Sequence, residues 1–310
     1  MLLERIARKL RVTLLPPPNK LESQLMGELR QSIRELPPLL PESSETSAEG
    51  IWTRNRIAIR EKILSDDPRR FLNWEVIKNT MFFSNTPYIT PAFESLRQSE
   101  KWEGRWRAAT RESKVGLPLK FPADAESSGN LIHQVYNLSQ FEEHSGRAIE
   151  DFKTVVEFGG GYGSTCRVAH QLGFSGSYFI FDLPELSALQ RFYLKLNGVH
   201  VTDAGSNAEA TDGVVCLSSI PELKSALETQ AIDLFIANWS VSETPLDLRR
   251  EFLPLVAGAG AFLIGYQDDF GEVDNRQFFT DWSACQQGVS WTTVRIEHLP
   301  ANNYLIGTRN

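Results

Sequence analysis

Cysteine is scarce in this chain. Cys166, Cys216 and Cys285 are its three examples, and no two of them form a C-x-x-C pair. So few, unpaired thiols exclude a disulfide framework and a cysteine zinc site, and fit a reduced, cytoplasmic protein in which each packs as a small apolar residue. Long hydrophobic runs are missing too: nothing approaches the roughly 20 apolar residues of a membrane span. The N-terminus lacks the apolar stretch and cleavage site of a signal peptide. Instead, residues 1–15 place Leu3, Ile6, Leu10 and Leu14 among Arg5, Arg8, Lys9 and Arg11, an amphipathic basic helix. Such a helix packs on its own protein, on a second copy in a homodimer, or on a membrane surface as a peripheral contact. Basic charge is also wanting in the C-terminal half. The net charge is −7, and residues 151–310 hold 10 Lys+Arg against 19 Asp+Glu, whereas residues 1–150 hold 22 against 20. An acidic half of this kind argues against a nucleic-acid backbone as partner.

What is present is the material of a globular protein. At 310 residues, 41% hydrophobic and 23% charged, the chain has room for two ordinary domains or one elaborated one. Pro16-Pro17-Pro18 stops the first helix, and residues 37–48 read as a Pro/Ser/Glu-rich linker. Helical patterns dominate residues 51–99, residues 113–129 read as loop, and residues 130–143 return to helix. From Thr154 onward, short apolar strands alternate with amphipathic helices, the pattern of a doubly wound α/β sheet. Strands are expected at 154–158, 178–181, 214–217, 232–237 and 261–265. Two more, at 291–297 and 304–308, are joined by a turn too tight for anything but antiparallel pairing. The division expected is a mainly helical N-terminal region, 1–150, forming a lid or dimer surface, and an α/β domain, 151–310.

The densest chemical signal is Val155-Val156-Glu157-Phe158-Gly159-Gly160-Gly161-Tyr162-Gly163-Ser164. An apolar strand ends at an acid, four glycines follow within five positions, and a helix begins. Glycine lets backbone approach a ligand without a Cβ in the way, and a helix start offers free N–H groups. The dinucleotide pattern G-x-G-x-x-G fails here, because its third glycine would be Ser164, and no G-K-[ST] follows. An NAD-linked oxidoreductase and a phosphate loop are thereby disfavoured. What fits is E/D-x-G-x-G-x-G, carried by Glu157, Gly159, Gly161 and Gly163. A second acid, Asp182, ends the next strand 25 residues after Glu157, in Phe181-Asp182-Leu183-Pro184. An acid there can accept both ribose hydroxyls of an adenosine cofactor, or can cap the following helix.

These two segments resemble the class I S-adenosylmethionine-dependent methyltransferases. The resemblance implies a Rossmann-like sheet closed by an antiparallel hairpin and S-adenosylmethionine as cofactor. It implies a cofactor site at Glu157, Gly159, Gly161, Tyr162, Gly163, Asp182, Leu183 and Asn238, with Leu183 near the adenine. The segments 233–243, 270–275 and 298–304 are similar to sugar O-methyltransferases of bacterial surface-polysaccharide clusters, and Phe-Asp-Leu-Pro is similar to plant small-molecule O-methyltransferases. The acceptor implied is a sugar hydroxyl of a glycan or glycan precursor. A phenolic or polyketide-like acceptor, and an inactive cofactor-binding interaction protein, are the alternatives. A hydroxyl is a poor nucleophile at neutral pH, so a general base is needed above the C-terminal strand ends. Ser242 stands where the plant enzymes carry their histidine, leaving Glu243 beyond the fourth strand, His298 at the end of the sixth, and His133 in the preceding helix. Glu243 can equally cap the helix from Pro245. Trp239, Tyr162 and Tyr266 are placed to stack on an acceptor. The adjacent carboxylates Asp268 and Asp269 point differently, and no metal is expected.

Overall fold

The computed structural model describes residues 15–39, 48–81, 87–202 and 213–310. The basic N-terminal helix, all but Leu15, and most of the 37–48 linker lie outside the described residues.

Among the described residues the leading α-helices are α1 Lys20–Glu35, α2 Ala48–Ser65, α3 Glu75–Thr80 and α4 Ile89–Gln98. The first is opened by a capping box in which Asn19 Oδ1 accepts the Glu22 N–H and Glu22 accepts the Asn19 N–H. Where loop was expected, β1 Lys120–Phe121 and β2 Asp124–Ser128 pair as a small antiparallel hairpin. Its strands are too short and too polar to show an alternating pattern. Helix α5 Gly129–Ser145 follows, with Ser128 Oγ capping the Leu131 N–H and Gly146 in the left-handed conformation closing its end.

The sheet is assembled from β3 Thr154–Phe158, β4 Ser177–Phe181, β5 Val201–Thr202, β6 Gly213–Leu217, β7 Leu234–Asn238, β8 Ala261–Gln267, β11 Val289–Arg295 and β12 Asn302–Arg309. Between them run α6 Ser164–Gln171, α7 Pro184–Leu196, α8 Ile220–Leu227, α9 Leu246–Val256 and α10 Asn275–Ala284, with a two-residue hairpin, β9 Asp269–Phe270 and β10 Val273–Asp274, before α10. The spatial order is β11-β12-β8-β7-β3-β4-β6-β5. All neighbours are parallel except β12, which runs antiparallel to both β8 and β11. The doubly wound sheet with a terminal antiparallel hairpin is therefore present, with one more edge strand, β5, than the sequence pattern announced.

Alternation along the strands splits the core in two. Val155, Ile180, Leu234, Ile236, Leu263 and Ile306 face one side, with α5, α6 and α7. Val156, Phe158, Phe179, Phe235, Phe262 and Ile264 face the other, with α8, α9 and α10. The first layer extends into the N-terminal helices, because Leu25, Leu29, Ile59, Ile63 and Phe71 belong to the same apolar cluster. One polar contact fixes that attachment. Glu185, fully buried at the start of α7, accepts from Arg56 Nε at 2.8 Å and Arg60 Nε at 2.6 Å, both on α2.

Strand order reverses between β3 and β7: the chain steps outward from β3 through β4 and β6, then returns to β7 on the other side. A crevice opens at such a switch point, outside the carboxyl ends of the strands.

Removing one member of a buried ion pair leaves the other charges desolvated. The two arginines keep 22% and 13% side-chain exposure, so solvent screens part of the loss. Glu185→Gln is expected to cost about 2 kcal/mol in urea unfolding; a loss under about 0.5 kcal/mol would show that α2 is held by its apolar face alone.

Candidate functional site

A cavity of about 1090 Å³ occupies the switch-point crevice, at the upper end of the range for small-molecule sites. Its floor is the turn between β3 and α6. Gly159, Gly161 and Gly163 have φ of +69°, +59° and +93°, so alternate residues of the turn take a conformation that L side chains resist. The missing side chains serve two ends. At Gly159 a Cβ would lie 2.2 Å from Ser240 Cβ, and at Gly160 2.7 Å from Ile180 Cγ2, so these positions are consumed by protein packing. At Gly161 the nearest atom is Met81 Sδ at 3.5 Å, across the cavity lining, and that side is left for a ligand.

The turn is clamped from two directions. Asp182 Oδ2 accepts the Gly161 N–H at 2.9 Å and Gln190 Nε2 at 3.0 Å, while Oδ1 accepts the Leu183 N–H at 2.8 Å. Gln190 Nε2 also reaches the Gly161 carbonyl at 2.9 Å. From the other side, Ser240 Oγ donates to the Phe158 carbonyl. Asp182 thus secures the turn with three donors and keeps acceptor capacity toward the cavity it lines. It does not cap α7, which begins at Pro184 without a side-chain cap.

Glu157, Asp182 and Glu243 all line this cavity, and burial pushes each of them up to about 7. Glu157 receives the Tyr178 hydroxyl at 3.0 Å, and its charge pushes Asp182 further upward. Glu243 is different: among the described residues no donor or cation pairs with its carboxylate, and desolvation alone raises it. It sits in a 3₁₀ turn, Val241–Glu243, just beyond β7. Nor does it cap the helix after it, since α9 starts without a side-chain cap.

Asn238, Leu183, Trp239 and His133 also line the cavity. Both polar atoms of the Asn238 amide are buried with no partner among the described residues. A buried donor and acceptor left unpaired cost about 1–3 kcal/mol each, so this amide is suited to a ligand that supplies both. Trp239 has φ +64°, rare for a bulky side chain. It is held there by its own N–H to the Gly265 carbonyl at 2.7 Å and by Nε1 donating to Asn302 Oδ1 at 2.6 Å. His133 packs its ring 4.9 Å from the Trp239 indole, and burial, with the His298 charge second, lowers its pKa to about 3. It is a neutral imidazole at pH 7.

The other residues singled out from the sequence lie as follows, several of them away from their expected places. Tyr162 contributes backbone to the turn, but its ring is buried edge-on between Phe71 (5.4 Å) and Tyr193 (5.0 Å), with its oxygen 2.5 Å from Asn130 Nδ2. Tyr266 is likewise core, 4.8 Å from Phe279. Neither ring is open to an acceptor. His298 does not end a strand: β11 stops at Arg295, and the following turn sets the imidazole edge-on to Tyr136 at 5.1 Å, outside the cavity lining. Ser242 is fully buried, within hydrogen-bond reach of the Trp239 carbonyl and Gln267 Oε1. Asp268 is engaged by Asn303 Nδ2 at 2.8 Å. Cys285 is exposed, whereas Cys166 and Cys216 are buried. Sequence reasoning missed Trp52, Arg56, Asn79 and Met81, which reach the cavity from the N-terminal helices. It also missed the clamp residues Gln190 and Ser240. Among the described residues, no helix is long and apolar enough to cross a membrane.

No family model matches the chain, and no curated protein does. Solved structures do. The chain is similar to the mitomycin 7-O-methyltransferase MmcR, at 12% identity over 88% of this chain and 74% of that one, with a TM-score of 0.36. It is similar to the methyltransferase domain of bacterial CtHen1, at 8% identity over 55% of this chain and 99% of that one, TM-score 0.40. It is also similar to the N-terminal domain of human METTL16 in complex with SAH, at 8% identity over 57% and 70%, TM-score 0.39. The fold is Rossmann-like, a doubly wound sheet closed by an antiparallel hairpin. Strand order and the antiparallel β12 carry that assignment, and likenesses this distant concern the chain path only.

The glycine turn yields a sharp test. Gly159→Ala combines a positive φ with the Ser240 clash, whereas Gly198 has φ +75° and open space around it. Strain alone costs about 1–2 kcal/mol. Urea unfolding is expected to show Gly159→Ala losing at least about 2 kcal/mol more than Gly198→Ala. Equal losses would mean that the turn yields to Ser240 without resistance.

Proposed function

We propose that this protein is an S-adenosylmethionine-dependent O-methyltransferase, with a sugar hydroxyl of a glycan or glycan precursor as acceptor. The observation that carries the reading is Glu243, an unpaired carboxylate with a pKa near 7, facing the same cavity as the glycine turn and Asp182.

The residues present fit such a cofactor. Gly161 leaves one side of the turn open, Asp182 keeps acceptor capacity for a ribose hydroxyl, and the orphaned Asn238 amide offers a donor and an acceptor. Leu183 supplies an apolar neighbour for the base. Arg56, the cation nearest to hand, is committed to Glu185, so the carboxyl groups of Glu157, Asp182 and Glu243 set a negative potential that suits a sulfonium. When bound, the cofactor supplies an activated methyl group for in-line displacement.

The remaining chemistry belongs to the chain. A base is most useful when its pKa lies near the working pH. Glu243 meets that condition, whereas His133, near 3, is too weak a base. In this reading the acceptor hydroxyl hydrogen-bonds to Glu243, which takes its proton as the oxygen attacks. Trp52 and Trp239 offer indole surface for a sugar face. The helical region 1–150 serves as an acceptor lid, through Trp52, Arg56 and Met81.

The three raised carboxyl groups give the reading a pH signature. Each ionises as pH rises through about 7, and only the ionised forms attract a cation. Calorimetry is expected to show S-adenosylmethionine gaining about tenfold in affinity over the neutral S-adenosylhomocysteine between pH 6 and pH 8. A constant ratio, or preference for NAD, contradicts the reading. In a screen of glycosides and phenols, Glu243→Gln is expected to lower turnover by about 10² or more, and full turnover would place the base elsewhere.

A further inference from the structure

Arg249, on α9, is one of the most completely buried side chains in the molecule, 1% exposed. Among the described residues no carboxylate pairs with it. All its partners are neutral. Nε donates to the Thr244 carbonyl at 3.0 Å, Nη2 to the Ser242 carbonyl at 2.7 Å, and Nη1 to Asn275 Oδ1 at 2.8 Å. The Phe278 ring lies 4.7 Å from the guanidinium carbon. Asn275 Nδ2 donates to the Ser242 carbonyl as well, at 3.2 Å. Burying a cation among neutral groups is expensive, and the guanidinium fork is suited to gripping two fixed oxygens at once.

The two carbonyls it grips belong to the residues on either side of Glu243. The rest of the turn is fastened too: Ser242 Oγ reaches the Trp239 carbonyl, and Thr244 Oγ1 donates to the Val241 carbonyl at 2.8 Å. Within the segment 239–244, Glu243 is the acidic side chain left without a partner, and it is turned to the cavity. We propose that Arg249 is the positioning residue of this site, holding the backbone on both sides of Glu243 so that its carboxylate is presented, unpaired, to the acceptor. The proposal rests on the reading of Glu243 as the base. Arg249 itself touches no ligand, because it lies behind the turn and outside the cavity lining.

Lysine at 249 keeps the charge but cannot fork to two carbonyls, and methionine keeps neither. If the staple fails, the 242–244 backbone relaxes and Glu243 moves toward water. The other charged and titratable groups of the cavity, Arg56 from α2, His133 from α5, Glu157 from β3, Tyr162 from the glycine turn, Asp182 beyond β4 and Asp247 on α9, are the same in every variant.

The test needs no acceptor. Glutamate side-chain carboxyl carbons are labelled with ¹³C in the full chain, the Glu243 resonance is assigned by its loss in Glu243→Gln, and its titration is followed by NMR. The wild-type midpoint is expected near 7. Arg249→Lys and Arg249→Met are expected to lower it by one to two pH units, toward the ordinary carboxylate value of about 4.3, with S-adenosylhomocysteine affinity within about twofold of wild type. A midpoint that stays near 7 in a folded Arg249 variant overturns the proposal. Should neither Arg249 variant fold, Asn275→Ala removes one donor to the Ser242 carbonyl and one partner of Arg249. It is expected to move the midpoint the same way by a smaller amount, and no movement overturns the proposal. Failure of the underlying reading is seen separately, as full turnover in Glu243→Gln or as a wild-type midpoint already in the ordinary range.

Discussion

The site depends on one hydrogen bond: the Gly161 N–H donated to the half-buried carboxylate of Asp182. A turn with three positive-φ glycines has many other ways to fold, and without an anchor it would not hold a concave face. Asp182 supplies the anchor from the end of β4, and Gln190 completes it by reaching both Asp182 and the Gly161 carbonyl. Ser240 closes the other side from beyond β7, through the Phe158 carbonyl and the space left by Gly159. The turn is therefore fixed by both strands that flank β3. Hydrogen bonds to a charged group contribute about 1.5–3 kcal/mol each. That is enough to offset much of the cost of burying Asp182, but not enough to keep its pKa in the ordinary range.

The cavity built on this turn is electrostatically unfinished. Glu157, Asp182 and Glu243 all have pKa values raised above those of an unfolded chain. A group of that kind contributes stability that is fully present below its unfolded pKa and is lost as pH rises through the folded one. From about pH 4 to pH 7 these three groups therefore destabilise the empty protein progressively, and above pH 7 the loss is complete. A bound cation reverses their sign. Trp239 adds to the same picture, since its left-handed backbone is imposed by Gly265 and Asn302 and keeps the indole at the cavity wall. Cost at a site, compensated by the rest of the fold, is the usual mark of function.

What the sequence made legible is what local chemistry dictates. The glycine run, the acid ending the next strand and the strand–helix alternation are contiguous signals, and the sheet follows from them almost strand for strand. Glu243 was visible because its distance from a strand end places it on the rim. The strands β1, β5, β9 and β10 carry too few residues for a period to show, and β2, Asp-Ala-Glu-Ser-Ser, is too polar to show one. Tyr162 was misread because successive side chains in a tight turn point to opposite sides, and its ring takes the side of Phe71 and Tyr193. His298 was misread by a few residues: β11 ends at Arg295, and the intervening turn sets the ring edge-on against Tyr136. Arg249, Gln190, Arg56 and Trp52 gave no local sign, because their roles are long-range contacts between elements distant in sequence.

The most direct measurement is a crystal structure of the protein with S-adenosylhomocysteine. The ligand is expected against the open side of Gly161, with its ribose hydroxyls on Asp182, its polar end at Asn238 and its sulfur toward Glu243. A ligand bound elsewhere, or a ribose that does not meet Asp182, would contradict this placement.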